Sequence, residues 1–465
     1  MRGAVCLALL VVAALAHAAD ELVLPAITRT TLPNGLRVVV AEYHELPILN
    51  VAVFVGAGAA QDPQGKEGVA MLTASSLRRG AGGLSAEELA EAIESLGGSI
   101  GATAGTDATV VAAEFLAADL DRGLDLLRRV LRDPELARDE VRRARDEQLA
   151  ALVACLEEPA VIAERCFAPW LYGTHPYALP GDGRRQSVEK LGRGDVRDFY
   201  DRWYRPNDVI LVLVGDVAAD DAVRRIQAAF GDWTPRPDAV PARAGQPEQV
   251  DQRRVLLVDK PDATQTQIRI GAIGLARNDP DLLPSQVANT ILGGGFTSRL
   301  IEELRVKRSL TYGASSAFIA RKVGGDFRMQ TFTKTPTTVE TLTLALQVMS
   351  DFRQSPLDPK LVDKAKRYLR GQYPLRVETP DAIAMRLAEI EFNALPPDEL
   401  ATYRSRVAAV GPDDASRAAR THMPPPDRVA ITVVGKASEI RAPLEAAFGP
   451  VTVVTPGECD TFARK

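Results

Sequence analysis

Apolar and polar positions along the chain switch between a period of two and a period of about 3.6, and these switches mark successive strands and helices. The apolar runs typical of strands are 29–43, 47–56, 108–116 and 208–215. Apolar residues at helical spacing predict helices over 68–79, 120–131, 140–156 and 220–230. A capping box, Ser85-x-x-Glu88, predicts the start of a further helix that Gly97 and Gly98 end. Together these patterns indicate a protein that mixes helices and strands throughout.

The second half of the chain repeats the first. Four pairs of equivalent residues are Gly215 and Gly435, Phe230 and Phe448, Val141 and Val362, and Pro159 and Pro380. Their offsets are nearly constant: 435 − 215 = 220, 448 − 230 = 218, 362 − 141 = 221 and 380 − 159 = 221. A proline-rich segment of low hydrophobicity, 234–251, separates the two copies. We therefore expect two homologous domains, 19–233 and 253–465, joined by a linker over 234–252.

The N-terminus has the pattern of a secretory signal. Arg2 is followed by the apolar run Val5–Leu15 and by Ala16-His17-Ala18, a small-x-small cleavage site. We expect cleavage after Ala18 and export to the periplasm of a Gram-negative cell. No later run of 18 uninterrupted apolar residues occurs, so no membrane span is expected. The net charge of −5 provides no basic field, which argues against nucleic acid as a partner.

Three cysteines follow the signal: Cys155, Cys166 and Cys459. An odd number allows at most one internal disulfide. Cys155 and Cys166 are eleven residues apart, about three helical turns, which is too far to bridge on one straight helix. The prediction is three buried free thiols.

The segment 292–312, LGGGFTSRLIEELRVKRSLTY, carries the candidate binding chemistry. Its glycine triplet, Gly293, Gly294 and Gly295, interrupts an apolar helix pattern, and a short helix-like run leads to Arg305. If that helix continued, Arg305 and Tyr312 would share a face, since seven residues are close to two turns. If it broke at Ser309, Tyr312 would begin a strand and the pair could still converge. A guanidinium binds carbonyl or carboxylate groups, and a phenol donates to an oxyanion.

Three segments resemble the pitrilysin/insulinase family of zinc peptidases, and in particular the mitochondrial processing peptidases and their bacterial relatives. They are LPNGLRVVV at 32–40, the stretch from GTHPYALPGDG to VILVLVGD at 173–216, and LGGGFTSRLIEELRVKRSLTYG at 292–313. The resemblance covers nearly all of the mature chain. It implies an α+β fold of two homologous domains, each a mainly antiparallel sheet with helices packed on one side. It also implies a substrate-binding role for Arg305 and Tyr312; the glycine triplet either lets the substrate backbone approach closely or ends the helix.

The metal motif of this family, H-x-x-E-H on a helix plus a later Glu, has no counterpart here. Alignment on the equivalent helix places Met71, Ala74 and Ser75 at the first His, the Glu and the second His, and Ala151 at the third ligand. These positions have no metal-binding chemistry, so we expect no zinc in this chain.

Other catalytic groups are equally scarce in the sequence. The three histidines after the signal, His44, His175 and His422, stand far from any other His or Cys, and we interpret them as structural or solvated. No G-x-S-x-G occurs, and the glycine triplet lacks the Lys-Ser/Thr of a phosphate-binding loop.

These features lead to the hypothesis of a non-catalytic subunit in a heteromeric zinc peptidase. The expected partner is a homologous subunit with H-x-x-E-H and zinc, and Arg305 and Tyr312 would act on peptide substrates beside that metal. The alternative is a structural or peptide-binding scaffold without a catalytic role, for instance a homodimer. A homologous partner with the metal motif would favour the peptidase subunit over the scaffold.

Overall fold

The computed structural model describes residues 24–238 and 244–459, so the signal sequence lies outside the described residues. Within these ranges the chain forms two six-stranded sheets. The strands of the first sheet are β1 Ile27–Thr31, β2 Arg37–Glu42, β3 Ile48–Val55, β4 Ser99–Ala104, β5 Thr109–Leu116 and β6 Val209–Gly215. Those of the second are β7 Arg254–Asp259, β8 Gln265–Ile273, β9 Ala314–Ile319, β10 Asp326–Lys334, β11 Ala430–Gly435 and β12 Val451–Val454.

The two sheets have matching topologies. The first has the order β1-β2-β6-β3-β5-β4 and the second the order β12-β7-β11-β8-β10-β9. In the first sheet only β2 and β6 pair in parallel; in the second, β7 is parallel to both β11 and β12. The remaining pairs are antiparallel. The α+β fold of two homologous domains with mainly antiparallel sheets is therefore confirmed.

Helices connect the strands of both halves. In the first half they are α1 Val69–Leu77, α2 Ala86–Glu94, α3 Leu120–Arg132, α4 Arg138–Ala154, α5 Pro159–Tyr172, α6 Arg185–Val188, α7 Arg193–Trp203 and α8 Ala219–Phe230. In the second they are α9 Leu282–Asn289, α10 Thr338–Gln354, α11 Pro359–Gln372, α12 Pro380–Phe392, α13 Glu399–Ala409, α14 Pro412–His422 and α15 Ala437–Phe448. None of the helices in the described ranges is long and apolar enough to cross a membrane.

Local sequence signals account for several element boundaries. Ser85 accepts a hydrogen bond from the Glu88 amide at 3.2 Å, and the Glu88 carboxylate accepts one from the Ser85 amide at 2.8 Å, so the capping box starts α2 as predicted. The single strand expected over 29–43 is instead a hairpin of β1 and β2. Gly35 has φ +86°, and the Asn34 side chain accepts from the Leu36 amide at 3.2 Å, so this turn reverses the chain.

One helix from each half covers the sheet of the other half. Helix α5 packs on β8 and β11, and α12 packs on β3 and β6. The apolar residues Ile162 and Ala163 of α5 lie in one cluster with Leu256 and Val258 of β7, and each is at most 1 % exposed. Each sheet is therefore covered on both faces. The resemblance implies helices on one face, and the other face is covered by a helix of the other half, α5 or α12, which we call the exchanged helices.

The prediction of three buried free thiols is wrong. Cys166 on α5 and Cys459, which follows β12, form a disulfide across 293 residues of sequence, while Cys155 is free and half-buried. The local spacing of Cys155 and Cys166 carries no information about Cys459. Helix α5 crosses to the second sheet, where the C-terminal segment passes beside it.

A buried polar network also joins the two halves beside the disulfide. Asp326 of β10 has no exposed surface and accepts hydrogen bonds from Arg328 and, at 2.9 Å, from the Tyr172 hydroxyl of α5. Arg328 also donates to Glu164 of α5 and lies over the Phe167 ring at 4.8 Å. Because these charged groups compensate one another, the interface is specified by hydrogen bonds as well as by apolar packing.

Asp281 joins the start of α9 to α14. Its carboxylate accepts two hydrogen bonds of 2.8 Å from Arg417 and one of 2.8 Å from His422. The hydrogen bonds from Arg417, followed by that from His422, lower the pKa of Asp281 to about 2. This geometry gives His422 a structural partner.

We expect Asp281→Asn to destabilise the protein by about 1 kcal/mol at pH 7, since the carboxylate remains partly exposed and is screened by solvent. A carboxylate with a lowered pKa contributes stability above its unfolded pKa, about 4, and loses it as the pH falls toward its folded pKa of about 2. Urea unfolding at pH 7, 5 and 3 should therefore show the same difference from wild type at pH 7 and 5 and a smaller one at pH 3. A difference independent of pH would contradict the assignment.

Candidate functional site

Helix α1 carries Met71, Ala74 and Ser75, the residues that the sequence analysis aligns with the zinc motif of the family. Its first turn is held by Asp62, whose two carboxylate oxygens accept from the amides of Gly68 at 2.6 Å and Ala70 at 2.9 Å. Burial raises the pKa of Asp62 to about 7. The Gln148 side chain of α4 donates to the Gly68 carbonyl at 3.2 Å, so α4, with Ala151, packs beside α1. The two helices that carry the four aligned positions thus lie side by side.

The side chains at these positions cannot bind a metal. Met71 and Ser75 are half-buried and one turn apart on α1, Ala74 is fully buried, and Ala151 on α4 is exposed. A thioether, two methyl groups and one neutral hydroxyl are not a zinc ligand set. Throughout residues 24–238 and 244–459, no group of three or more His, Cys, Asp or Glu side chains is arranged to hold a metal ion. The residues present do not fit zinc.

The three histidines have protein partners. His44 lies 2.8 Å from an oxygen of Asp216, His175 lies 2.9 Å from the Gly245 carbonyl, and His422 contacts Asp281. Each imidazole therefore has a local structural role.

The helix that carries Arg305 ends before it can place Arg305 and Tyr312 on one face. Residues Ile301–Val306 form a π-helical segment, and Ser309 then adopts a left-handed conformation with φ +53°. The amides of Ser309 and Leu310 close the end by donating to the carbonyls of Arg305 at 3.0 Å and Leu304 at 2.9 Å. The alternative of a shared helical face is excluded, and Tyr312 lies in the loop that precedes β9 rather than in the strand.

The backbone around Tyr312 is anchored while its side chain is free. Thr331 and Thr333 of β10 donate to the carbonyls of Gly313 at 2.9 Å and Leu310 at 2.7 Å. The Tyr312 side chain is 77 % exposed, and its hydroxyl has no hydrogen-bond partner among the described residues. A fixed backbone with an unpartnered phenol presents a donor to an external ligand at little cost in loop entropy.

Phe296 is a site residue that the sequence analysis missed. The Arg305 guanidinium lies over its ring, 5.5 Å from the centroid, and the ring is 76 % exposed. This cation–π contact orients Arg305 without using any of its hydrogen-bond donors, and no carboxylate in the described residues pairs with it. The available signal was a large aromatic residue directly after three glycines. We call Phe296, the half-buried Arg305 and Tyr312 the exposed triad, a name for three residues of the one segment 296–312.

The glycine triplet combines two roles. A second π-helical segment, Thr290–Gly294, extends α9, and Gly295 ends it. A Cβ on Gly293 would lie 2.3 Å from the Ser316 hydroxyl and 2.5 Å from the Ser316 amide, so Gly293 is required where this segment packs on β9. Gly294 is exposed and Gly295 is half-exposed, so these two are the glycines accessible to a ligand. π-Helical segments are uncommon and occur frequently at functional sites.

The fold, the residues on helix α1 and the segment 292–313 all point to one protein family. Residues 37–172 match the model of the insulinase family, peptidase family M16, and residues 190–369 match the model described as the peptidase M16 inactive domain. The chain belongs to the insulinase family M16.

Individual relatives agree with this assignment. An uncharacterized zinc protease of Mycobacterium leprae is 27 % identical over 79 % of this chain and 82 % of its own length. A non-peptidase homolog of Helicobacter pylori is 25 % identical over 74 % of this chain and 78 % of its own. The crystal structure of a peptidase M16 inactive domain from Pseudomonas fluorescens superposes with a TM-score of 0.83 at 28 % identity, covering 88 % of this chain and 98 % of that one. The match to the inactive-domain model and the similarity to a non-peptidase homolog fit a non-catalytic M16 subunit.

Proposed function

We propose that the protein is the non-catalytic, substrate-binding subunit of a heteromeric zinc metallopeptidase. The zinc and the H-x-x-E-H motif are on a homologous partner subunit, and this chain contributes Arg305 and Tyr312 to the shared active site. The observation that carries the proposal is the exposed triad, which combines two large exposed aromatic side chains with a guanidinium that pairs with no carboxylate of the described residues. Exposed aromatic residues of this kind mark binding surfaces.

The chemistry of the exposed triad fits a peptide undergoing hydrolysis. The guanidinium of Arg305 has several N–H donors for the backbone carbonyls of an extended peptide. The Tyr312 hydroxyl can donate to the oxyanion that develops as water attacks the scissile carbonyl, on the side opposite the partner's metal. The accessible Gly294 and Gly295 leave room for the substrate backbone beside these side chains.

Export to the periplasm is part of the proposal. A disulfide between two side chains that are each 1 % exposed supports an oxidising compartment, because such bonds persist mainly outside the reducing cytosol. In this proposal residues 1–18, which have the pattern of a secretory signal, direct the chain to export.

The isolated mature chain should bind no stoichiometric zinc and cleave no peptide. We expect less than about 0.1 zinc per chain by elemental analysis after dialysis against micromolar zinc, because the four equivalent positions carry no histidine, cysteine or carboxylate. A matched family member with an intact H-x-x-E-H serves as the positive control. Metal-dependent turnover by the pure chain would refute the proposal.

The partner can be tested by purifying the tagged mature chain from its native periplasm and identifying co-eluting proteins by mass spectrometry. The expected result is a homologue with H-x-x-E-H, whose addition restores zinc-dependent cleavage of a peptide library. If this chain elutes only with itself, and adding such a homologue yields no activity, the alternative of a scaffold is correct.

A further inference from the structure

The second domain contains a large cavity away from the exposed triad. Its volume is about 770 Å³, which is the size of a site for a small ligand or a short peptide. The walls come from the start of α9, the end of β9, the segment 373–377, α12 and α13. Because α12 also covers the first sheet, one wall of the cavity is part of the interface between the two halves.

The cavity has both apolar and cationic walls. Phe318, Met385 and Leu395 contribute apolar surface, and Tyr373 and Tyr403 stack with their centroids 4.3 Å apart. The charged residues of the lining are four arginines and three carboxylates: Arg277, Arg376, Arg386, Arg406, Asp279, Glu389 and Glu399. Cations are therefore in excess by one.

Most of these charges neutralise each other. Arg386 pairs with Glu389 at 3.0 Å and with Glu399 at 3.5 Å, and Arg406 pairs with Glu399. The Asp279 carboxylate accepts a hydrogen bond from the Asp281 amide at 2.8 Å at the start of α9. These contacts use the three carboxylates and two of the arginines.

Arg277 is the exception. Its side chain is half-buried in the cavity wall, and its guanidinium makes no hydrogen bond or ion pair with any residue of the described ranges. Burial lowers the pKa of Arg277 and the positive charge of Arg386 lowers it further, while the negative charge of Glu389 offsets part of this shift. Its N–H donors are therefore available inside the cavity, and a bound anion would pair with them through charge-assisted hydrogen bonds.

We propose that this cavity binds an anionic ligand with an apolar body, and that Arg277 contacts its carboxylate or phosphate group. Arg376, which is exposed at the rim and makes no ion pair among the described residues, provides a second cation on the way in. The apolar body lies against Phe318, Met385 and Leu395. The C-terminal end of an apolar peptide and a small aromatic phosphate both have this chemistry.

The cavity is distinct from the exposed triad. It lies at the beginning of α9 and the end of β9, whereas the glycine triplet and Tyr312 lie at the opposite ends of these two elements. The six residues of β9 alone separate the two ends by roughly 17 Å at about 3.3 Å per residue. The proposal therefore does not depend on the peptidase partner.

The test uses calorimetric titration of the full mature chain with three probes: acetyl-Leu-Phe with a free carboxylate, acetyl-Leu-Phe amide and phenyl phosphate. The free carboxylate should bind and the amide should not. Arg277→Gln should weaken binding of the carboxylate about 10- to 100-fold, as expected for loss of one charge-assisted contact. Arg441→Gln, which changes an exposed arginine on α15 outside the cavity, should leave the affinity unchanged.

Phenyl phosphate distinguishes the source of the anion. If it binds more tightly than the peptide carboxylate, and Arg277→Gln abolishes this difference, the site is one for small phosphates. Equal binding of the carboxylate and amide peptides, or no binding of any probe, would overturn the proposal. Should Arg277→Gln fail to fold, the rim variant Arg376→Gln must still weaken binding of the carboxylate several-fold.

Discussion

Tyr312→Phe should lower the turnover of the reconstituted peptidase by about 10²- to 10³-fold, the usual cost of losing one oxyanion donor. The substitution removes only the hydroxyl, which has no partner among the described residues, and leaves the exposed ring in place. Because the loop is held by its backbone carbonyls through Thr331 and Thr333, the variant should fold as wild type. The measurement is kcat and KM for one peptide, together with the affinity of the two subunits.

Tyr368→Phe on α11 is the matched control. Tyr368 is also a partly exposed tyrosine of the second domain, 41 % accessible, but it lies outside the segment 292–313. Removal of the Tyr368 hydroxyl should leave kcat unchanged. An unchanged kcat for Tyr312→Phe as well, with normal assembly, would assign Tyr312 to surface structure and remove it from the proposed mechanism.

Cys459→Ser should reduce the free energy of unfolding by about 3–5 kcal/mol. The disulfide closes a loop of 293 residues, and cross-links across long loops restrict the unfolded chain most. The effect should be visible as a fall of several degrees in the midpoint of thermal unfolding under oxidising conditions. Wild-type protein treated with a reductant should show the same fall.

The chain offers its own control for the disulfide. Cys155 is free and half-buried near the end of α4, so Cys155→Ser removes a sulfur without opening a cross-link. Its midpoint should match wild type and should still respond to reductant, whereas that of Cys459→Ser should not. If both variants lose stability equally, the cross-link adds nothing beyond packing.

Local patterns in the sequence predicted the elements well because periodicity and capping act over a few residues. The Ser85–Glu88 box starts α2, and the residues compared across the repeat occupy equivalent places: Gly215 and Gly435 end β6 and β11, and Pro159 and Pro380 begin α5 and α12. Matching topologies in the two sheets follow from the same duplication.

Contacts between distant residues could not be predicted in the same way. Nothing in the neighbourhood of Cys166 indicates that its helix packs on the second sheet, and the disulfide to Cys459 depends entirely on that packing. The left-handed conformation of Ser309 is equally hidden, because serine has no intrinsic preference for positive φ. A role for Phe296 could not be predicted either, because its contact with Arg305 depends on the fold.

The candidate site was therefore predicted in part. The absence of metal-binding side chains at Met71, Ala74, Ser75 and Ala151 was visible from residue types alone, since a methyl group cannot bind zinc in any fold. The relative position of Arg305 and Tyr312 could not be predicted, because it depends on how a seven-residue segment bends. The structure places them on a helix and a loop, and the Tyr312→Phe experiment tests the proposed joint action of the pair.

The exchanged helices also influence the order of events during synthesis. The face of the first sheet on which α12 packs stays uncovered until α12 emerges from the ribosome. This happens at least 165 residues after β6 is complete (380 − 215 = 165). Until then a nascent first half exposes an apolar sheet face, which is a typical target for holding chaperones. For a chain that we propose to be threaded through a membrane before folding, this delay is an advantage, because premature closure of the first half would obstruct translocation.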